Sequence, residues 1–460
     1  MLFNSSTFIF LHFIVFVSYW LAPKQWMRII ILTIGSLIFY GWFYWPGIFF
    51  IASAIGINYF LGIKIEQTRS SNWLGFAIIL NLLNLIYFKY VHFIAQSWSD
   101  FFNLLGLHLD FPIPSPSYWL PLGISFITFQ KIAYLVDVYK QKTHAEKNIL
   151  VFTCFAAFYG QLIAGPIVRS EEFFPQIRHK RTFSLAQVQL GFFYFIMGLM
   201  IKVTVADTLA QFVDFGFSNI SQLDLKSSWL TLYAFAIQIL CDFWGYSTMA
   251  LGCAYMLGIK LPINFNLPYS STSLTEFWKR WHITLGSWLR DYLYIPLGGN
   301  KTGKTYRNLI LTMTLGGLWH GANWTFFLWG MLNGLWLALE RLFGVKDSHH
   351  GFLLGLFKKI LTFHGVCVLW VLFRSKTLNE AIAYYKVLFL PPYRLDSNPP
   401  GALTTLLILF ILFYNLIGKY LIDERFLRLS IFKQLVYTIF AIMLILAYSQ
   451  AKLNFIYFNF

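Results

Sequence analysis

The sequence predicts an all-α polytopic membrane protein, and three observations carry that reading. Of 460 residues, 58% are hydrophobic and only 12% are charged, whereas a soluble domain carries about 25% charged residues. Apolar stretches long enough to cross about 30 Å of hydrocarbon recur along the whole chain. These stretches are unbroken rather than alternating. They suit helices, whose backbone groups bond internally, and not the roughly ten-residue alternating strands of a membrane β-barrel.

Taken in order, the stretches lie at 6–22, 27–45, 47–63, 73–93, 118–137, 149–167, 188–206, 229–257, 308–340, 360–374, 401–418 and 433–449. About ten to twelve transmembrane helices are expected. Re-entrant and interfacial helices are expected within 229–306, where apolar runs mix with Pro, Gly and charges. The first stretch has no Lys or Arg ahead of it, and Ala22-Pro23-Lys24 is a poor cleavage signal, so a retained helix is expected. Aromatic turns such as YGWFYWPG mark interfaces. The proline-rich segment 111–123 cannot be one continuous helix. The whole chain, 1–460, reads as one membrane domain: N-terminal helices over 1–110, a chemistry-bearing core over 111–345 and C-terminal helices over 346–460.

The net charge is +16. The basic residues sit in short loops and at helix ends, which fits the positive-inside rule and membrane lipid rather than nucleic acid. Cys154, Cys241, Cys253 and Cys367 form no C-x-x-C motif and read as small buried hydrophobes.

Polar residues inside apolar stretches are costly unless paired, and so mark places of interest. Lys131 lies with Gln130, Tyr134 and Asp137 at about one helical turn's spacing. A self-neutralising Lys131–Asp137 pair and a cavity wall are both open there. Asp242 needs a partner, and Tyr246 and Ser247 are the near ones. Glu276, Lys279, Arg280, His282, Arg290 and Asp291 fall within sixteen residues, surrounded by Trp278, Trp281 and Trp288. Helical spacing puts Lys279, His282 and Gly286 on one face of an interfacial helix. The following PLGGNKTGKTYRN is a basic glycine turn without the spacing of a P-loop. In GGLWHGANWTFFLWG, His320 is flanked by glycines that let another chain segment or a thin acyl group come close. No H-E-x-x-H motif and no convincing third ligand accompany the two histidines, so no metal is expected.

At His282 and His320 the chain resembles the membrane-bound O-acyltransferase family, MBOAT. The likeness is to its bacterial branch of alginate and peptidoglycan O-acetylation proteins, related to teichoic-acid D-alanylation proteins. The matching stretches are PLGISFITFQKIAYLVDVY, IAGPIVRSEEFFPQ, DFWGYSTMALG, NFNLPYSSTSLTEFWKRWHITLGSWLRDYLYIPLGGN, GGLWHGANWTFFLWG and FIYFNF. They run from about 118 to 460. One departure is Trp244, where the branch usually has serine; it bears on pocket shape rather than fold.

The resemblance implies helices around a central funnel or tunnel. It implies His320 as the catalytic residue at the neck, and His282, a position where relatives also carry Asn or Asp, on the cytoplasmic side near the donor. The chemistry agrees. Transfer from a thioester to a hydroxyl needs proton removal and stabilisation of an oxyanion. His320 suits the first task, and His282 or neighbouring Trp and Asn donors suit the second. Asp242, Tyr246, Trp281, Trp319, Asn323 and Lys131 are expected as tunnel or structural support. Lys279, Arg280, Lys301 and Lys304 are expected to hold an anionic donor, although positive-inside placement explains them equally well.

No bound cofactor is expected; acetyl-CoA is the expected donor substrate. A hydrolase is disfavoured, because the chain contains no G-x-S-x-G elbow. In the alginate and peptidoglycan systems a partner of the SGNH-esterase-like class completes transfer; this chain reads without a serine-esterase domain of its own, so the resemblance implies a periplasmic SGNH-like acetyltransferase partner. The expected place is the bacterial inner membrane. D-alanyl transfer to teichoic acid from an acylated carrier protein is the alternative within the branch, and a transporter or channel is the alternative class.

Overall fold

The computed structural model describes residues 1–107, 121–162, 165–301, 303–345, 351–391, 401–422 and 425–448. Among these, all regular elements are helical. The terminal FIYFNF and most of the proline-rich segment lie outside the described residues. The chain divides into two compact units, Met1–Val188 with Cys253–Leu261, and Gln189–Gly252 with Pro262–Phe460.

The first unit holds α1 (Ser6–Leu21), α2 (Gln25–Gly41), α3 (Gly47–Thr68), α4 (Ser71–Lys89), α5 (Val91–Leu104), α6 (Ile124–Tyr139), α7 (Ile149–Ala157), α8 (Tyr159–Leu162) and α9 (Ser170–Arg178). Several of its buried polar groups pair across helices. Asn58 on α3 and Asn81 on α4 exchange amide hydrogen bonds, and His12 Nδ1 lies 2.8 Å from the Tyr159 hydroxyl. Asp137 forms an ion pair with Lys142 at 3.8 Å, not with Lys131. Six positions along a helix are nearly two turns, too far for Lys131 to reach forward, while Lys142 lies beyond the helix end.

The second unit begins within α10 (Leu185–Met200). It continues through a π turn (Ile201–Ala206), α11 (Asp207–Ser218), α12 (Leu225–Met256), α13 (Leu274–Arg280), α14 (Ile283–Leu289), a second π turn (Arg290–Tyr294), α15 (Thr305–His320), α16 (Trp324–Leu342), α17 (Phe352–Arg374), α18 (Leu378–Phe389), α19 (Gly401–Ile422) and α20 (Ile431–Tyr448). Glycine sets two helix pairings. A Cβ on Gly198 would lie 2.5 Å from the Gly245 carbonyl oxygen, so α10 and α12 meet backbone to backbone. In the same way, a Cβ on Gly330 would run into the Met313 carbonyl oxygen, so α15 and α16 join as a tight hairpin.

Among the described residues, five helical stretches are long and apolar enough to cross a membrane: Gly47–Thr68, Ser71–Lys89, Leu185–Ser218, Phe352–Arg374 and Ile431–Tyr448. The expected ten to twelve rested on apolar length, and some of those stretches are divided between helices. Residues 308–340 form the α15–α16 hairpin, not one span, because the chain breaks at Gly321 and restarts behind the Asn323 cap. Residues 149–167 likewise hold the short α7 and α8. The chain is an all-α polytopic membrane protein.

Candidate active site

His282 and His320 line one cavity of about 440 Å³ within the second unit. Each reaches it from a break in helical structure. The expected single helix through 276–291 is two helices: α13 ends at Arg280, Trp281 is extended, and His282 has φ 43° and ψ 55°. A side chain larger than glycine in this left-handed region costs on the order of 1–3 kcal/mol and persists only where its surroundings enforce it. The enforcing element is the 262–268 loop. The Asn266 N–H donates to the Arg280 carbonyl (3.0 Å), and the Ile283 N–H donates to the Asn264 carbonyl (2.9 Å). The Thr284 hydroxyl donates to Asn264 Oδ1 at 2.7 Å, and Asn264 Nδ2 donates to the Ser247 hydroxyl at 3.2 Å. The shared face expected from helical spacing nevertheless survives the break, since Lys279, His282 and Gly286 all line the cavity.

The start of α13 is fixed by two carboxylates. Ser273 caps it, accepting from the Glu276 N–H at 3.0 Å. Glu340 of α16 accepts from the Leu274 and Thr275 N–H groups at 2.6 and 2.8 Å. Glu276 accepts from the Thr272 N–H and hydroxyl and pairs with Arg280 at 2.7 Å. Burial works against its charge, but those contacts prevail and hold its carboxyl below the usual range.

His320 is the last residue of α15 and is 5% exposed; His282 is 1% exposed. Their walls are aromatic. His282 meets Phe243 at 4.7 Å between ring centres, with the planes at 90°. His320 meets Trp329 at 5.4 Å and Phe373 at 5.2 Å. Trp319 lies against both imidazoles, 6.1 Å from His282 and 5.0 Å from His320. The cavity's cations are Lys279, Arg290 and Arg341, all exposed, so buried imidazoles are joined to a positively charged, open side. Tyr294 also lines it; burial raises its phenol, and the Arg341 charge opposes that rise.

The other expected residues fall elsewhere. Arg280 bonds Glu276 and the Asn266 carbonyl, and Arg280, Lys301 and Lys304 are not among the cavity's lining residues. Trp281 is buried in an aromatic cluster with Phe265, Phe277 and Trp370. Asn323 caps α16, accepting from the Thr325 N–H and donating to the Lys376 carbonyl, so its amide is engaged in structure. Tyr246 is fully buried in the core, and Lys131 belongs to the first unit. Asp242 is paired with Lys202 at 2.5 Å, and Lys202 with Asp207 at 2.6 Å. Ser247 serves Asn264. Trp244, the departure from the branch pattern, packs on Tyr414 of α19 at 6.1 Å.

Sequence reasoning passed over Arg341 and Lys202. Lys202 had a signal, a lone lysine in an apolar stretch. Arg341, at a helix end, looked like any interfacial cation.

Buried imidazoles among aromatic rings, in a cavity with an open cationic side, are suited to a proton transfer on a substrate that carries an anionic handle. The family model of MBOAT, the membrane-bound O-acyltransferase family, matches residues 146–346, which include both histidines. The chain is 40% identical over 396 residues to the probable alginate O-acetylase AlgI of Pseudomonas aeruginosa, covering 85% of this chain and 75% of that protein. It is 36% identical over 433 residues to the peptidoglycan O-acetyltransferase of Helicobacter pylori, covering 84% and 79%. It is 29% identical over 240 residues to the teichoic acid D-alanyltransferase of Streptococcus thermophilus, covering 48% and 56%. The chain belongs to the membrane-bound O-acyltransferase family, whose shared chemistry is acyl transfer rather than transport.

Proposed function

We propose that this protein moves an acetyl group from a cytoplasmic thioester, acetyl-CoA, across the bacterial inner membrane for O-acetylation of an extracytoplasmic polysaccharide such as alginate or peptidoglycan. A periplasmic SGNH-like acetyltransferase completes delivery to the polymer. The observation that carries the reading is that His282, His320 and three exposed cations line one cavity. The likeness to an alginate O-acetylase and a peptidoglycan O-acetyltransferase over most of the chain supports acetyl as the group moved.

In this reading the acceptor hydroxyl oxygen attacks the thioester carbonyl carbon while His320 takes its proton. His282, as an N–H donor, stabilises the oxyanion. The C–S bond then breaks, and the proton passes from His320 to the departing thiolate. Lys279, Arg290 and Arg341 hold the donor's phosphate groups, a set that keeps Lys279 from the sequence expectation and replaces its other members. Asp242, Trp281 and Asn323 act as structural support, and Trp319 shapes the space beside both imidazoles.

The test is transfer of labelled acetyl from acetyl-CoA in proteoliposomes that hold the protein and its candidate periplasmic partner. Labelled product is expected on the partner or polymer. Its absence, together with transfer from a D-alanyl carrier protein, would replace the acetyl reading with D-alanyl transfer.

A further inference from the structure

We propose that Asn264 is a positioning residue that holds the His282 backbone left-handed and so delivers its imidazole to the cavity; this rests on the reading that His282 takes part in acyl transfer. His282 and Leu267 are both left-handed without being glycine; His282 lies within, and Leu267 directly after, the two segments that bind one another. Asn264, three residues before Leu267, is 2% exposed, and its carbonyl, Oδ1 and Nδ2 are all engaged. Two of these bonds grip the residues directly after His282. The third anchors the loop to α12, the helix whose Phe243 packs on the His282 ring. A strained backbone persists only when over-determined, and the Asn264 side chain supplies the fixed point for that constraint. The bonds that do not use the Asn264 side chain, Asn266 N–H to the Arg280 carbonyl and Ile283 N–H to the Asn264 carbonyl, join the loop to the His282 segment and would leave the two free to move together.

The experiment uses the full chain in liposomes and a readout independent of acyl transfer: the rate at which diethyl pyrocarbonate modifies His282, followed by peptide mass. Buried His12 serves as the internal control. In Asn264→Ala, His282 is expected to react about fivefold faster through local opening, with His12 unchanged. In Asn264→Asp, which keeps the acceptor for Thr284 and can accept from the Ser247 hydroxyl in place of the bond that Nδ2 gave, the rise is expected to be smaller than in Asn264→Ala. Where Asn264→Ala does not fold, Thr284→Val, which removes one of the bonds, is read in its place. In the acetyl assay, kcat is expected to fall about tenfold with donor KM unchanged. An unchanged His282 rate, an equal rise at His12, or an unchanged kcat would overturn the assignment. Loss of acetyl transfer in wild type leaves the labelling result standing and counts only against the donor reading.

Discussion

Glu340 binds Thr275 twice: one carboxylate oxygen accepts the Thr275 N–H at 2.8 Å and its hydroxyl at 2.7 Å. The other oxygen takes the Leu274 N–H at 2.6 Å, so one buried acid satisfies two N–H groups of the first turn of α13 and ties it to the helix behind His320. Glu340→Ala is expected to cost about 1.5–3 kcal/mol, and Thr275→Val, which loses only the hydroxyl bond, about 1 kcal/mol. The check is the thermal unfolding midpoint in detergent. Equal midpoints for wild type and Glu340→Ala would remove this tie from the account.

The α15–α16 hairpin tolerates no side chain where its backbones touch. Gly330→Ala drives a Cβ against the Met313 carbonyl, and backbone cannot step aside as a side-chain tip can. About 1–3 kcal/mol of destabilisation is expected. Gly355→Ala on α17, where nothing lies within 4 Å, is expected to be neutral or slightly stabilising. The same unfolding measurement compares them, and indistinguishable behaviour of the two variants would contradict the close packing.

Lys202 stands between Asp207 and Asp242, all three buried. Removing either acid leaves a neutral pair, whereas removing the lysine leaves two buried carboxylates facing each other. Lys202→Met is therefore expected to cost about 3–5 kcal/mol and Asp242→Asn distinctly less. Folded yield in membranes and the unfolding midpoint read the order. A reversed order would mean that Asp242, not Lys202, anchors the network.

How far the chain was legible follows from what each signal needs. Lipid demands long apolar helices, so the class of fold was open to reading, and a histidine among apolar residues stood out at 282 and 320. The break at His282 was not legible, because helical spacing runs through it without a glycine or proline; the loop at Asn264 enforces it from a distance. The turn at Gly321–Asn323 was too short to divide the 308–340 stretch by hydropathy alone. Lys202 stood out as a lone lysine in an apolar stretch, but its partner Asp242 lies 40 residues on, and Arg341 acquires meaning only when packing brings it to the cavity, 59 residues from His282.

The cavity's cations yield a specificity test. Arg341→Ala is expected to raise the donor KM about tenfold, the loss of one favourable charged contact. Lys301→Ala, whose side chain is not in the lining, is expected to leave it unchanged. Steady-state kinetics with varied donor separate the two. An effect of Lys301 equal to that of Arg341 would return the donor site to the glycine turn.

The most direct measurement of the central claim is acetyl transfer by His320→Ala beside wild type in the same proteoliposomes, with unfolding midpoints matched. The account predicts a fall of about 10²–10⁴ in rate, as expected for a lost general base. A folded His320→Ala that transfers acetyl at the wild-type rate would contradict it.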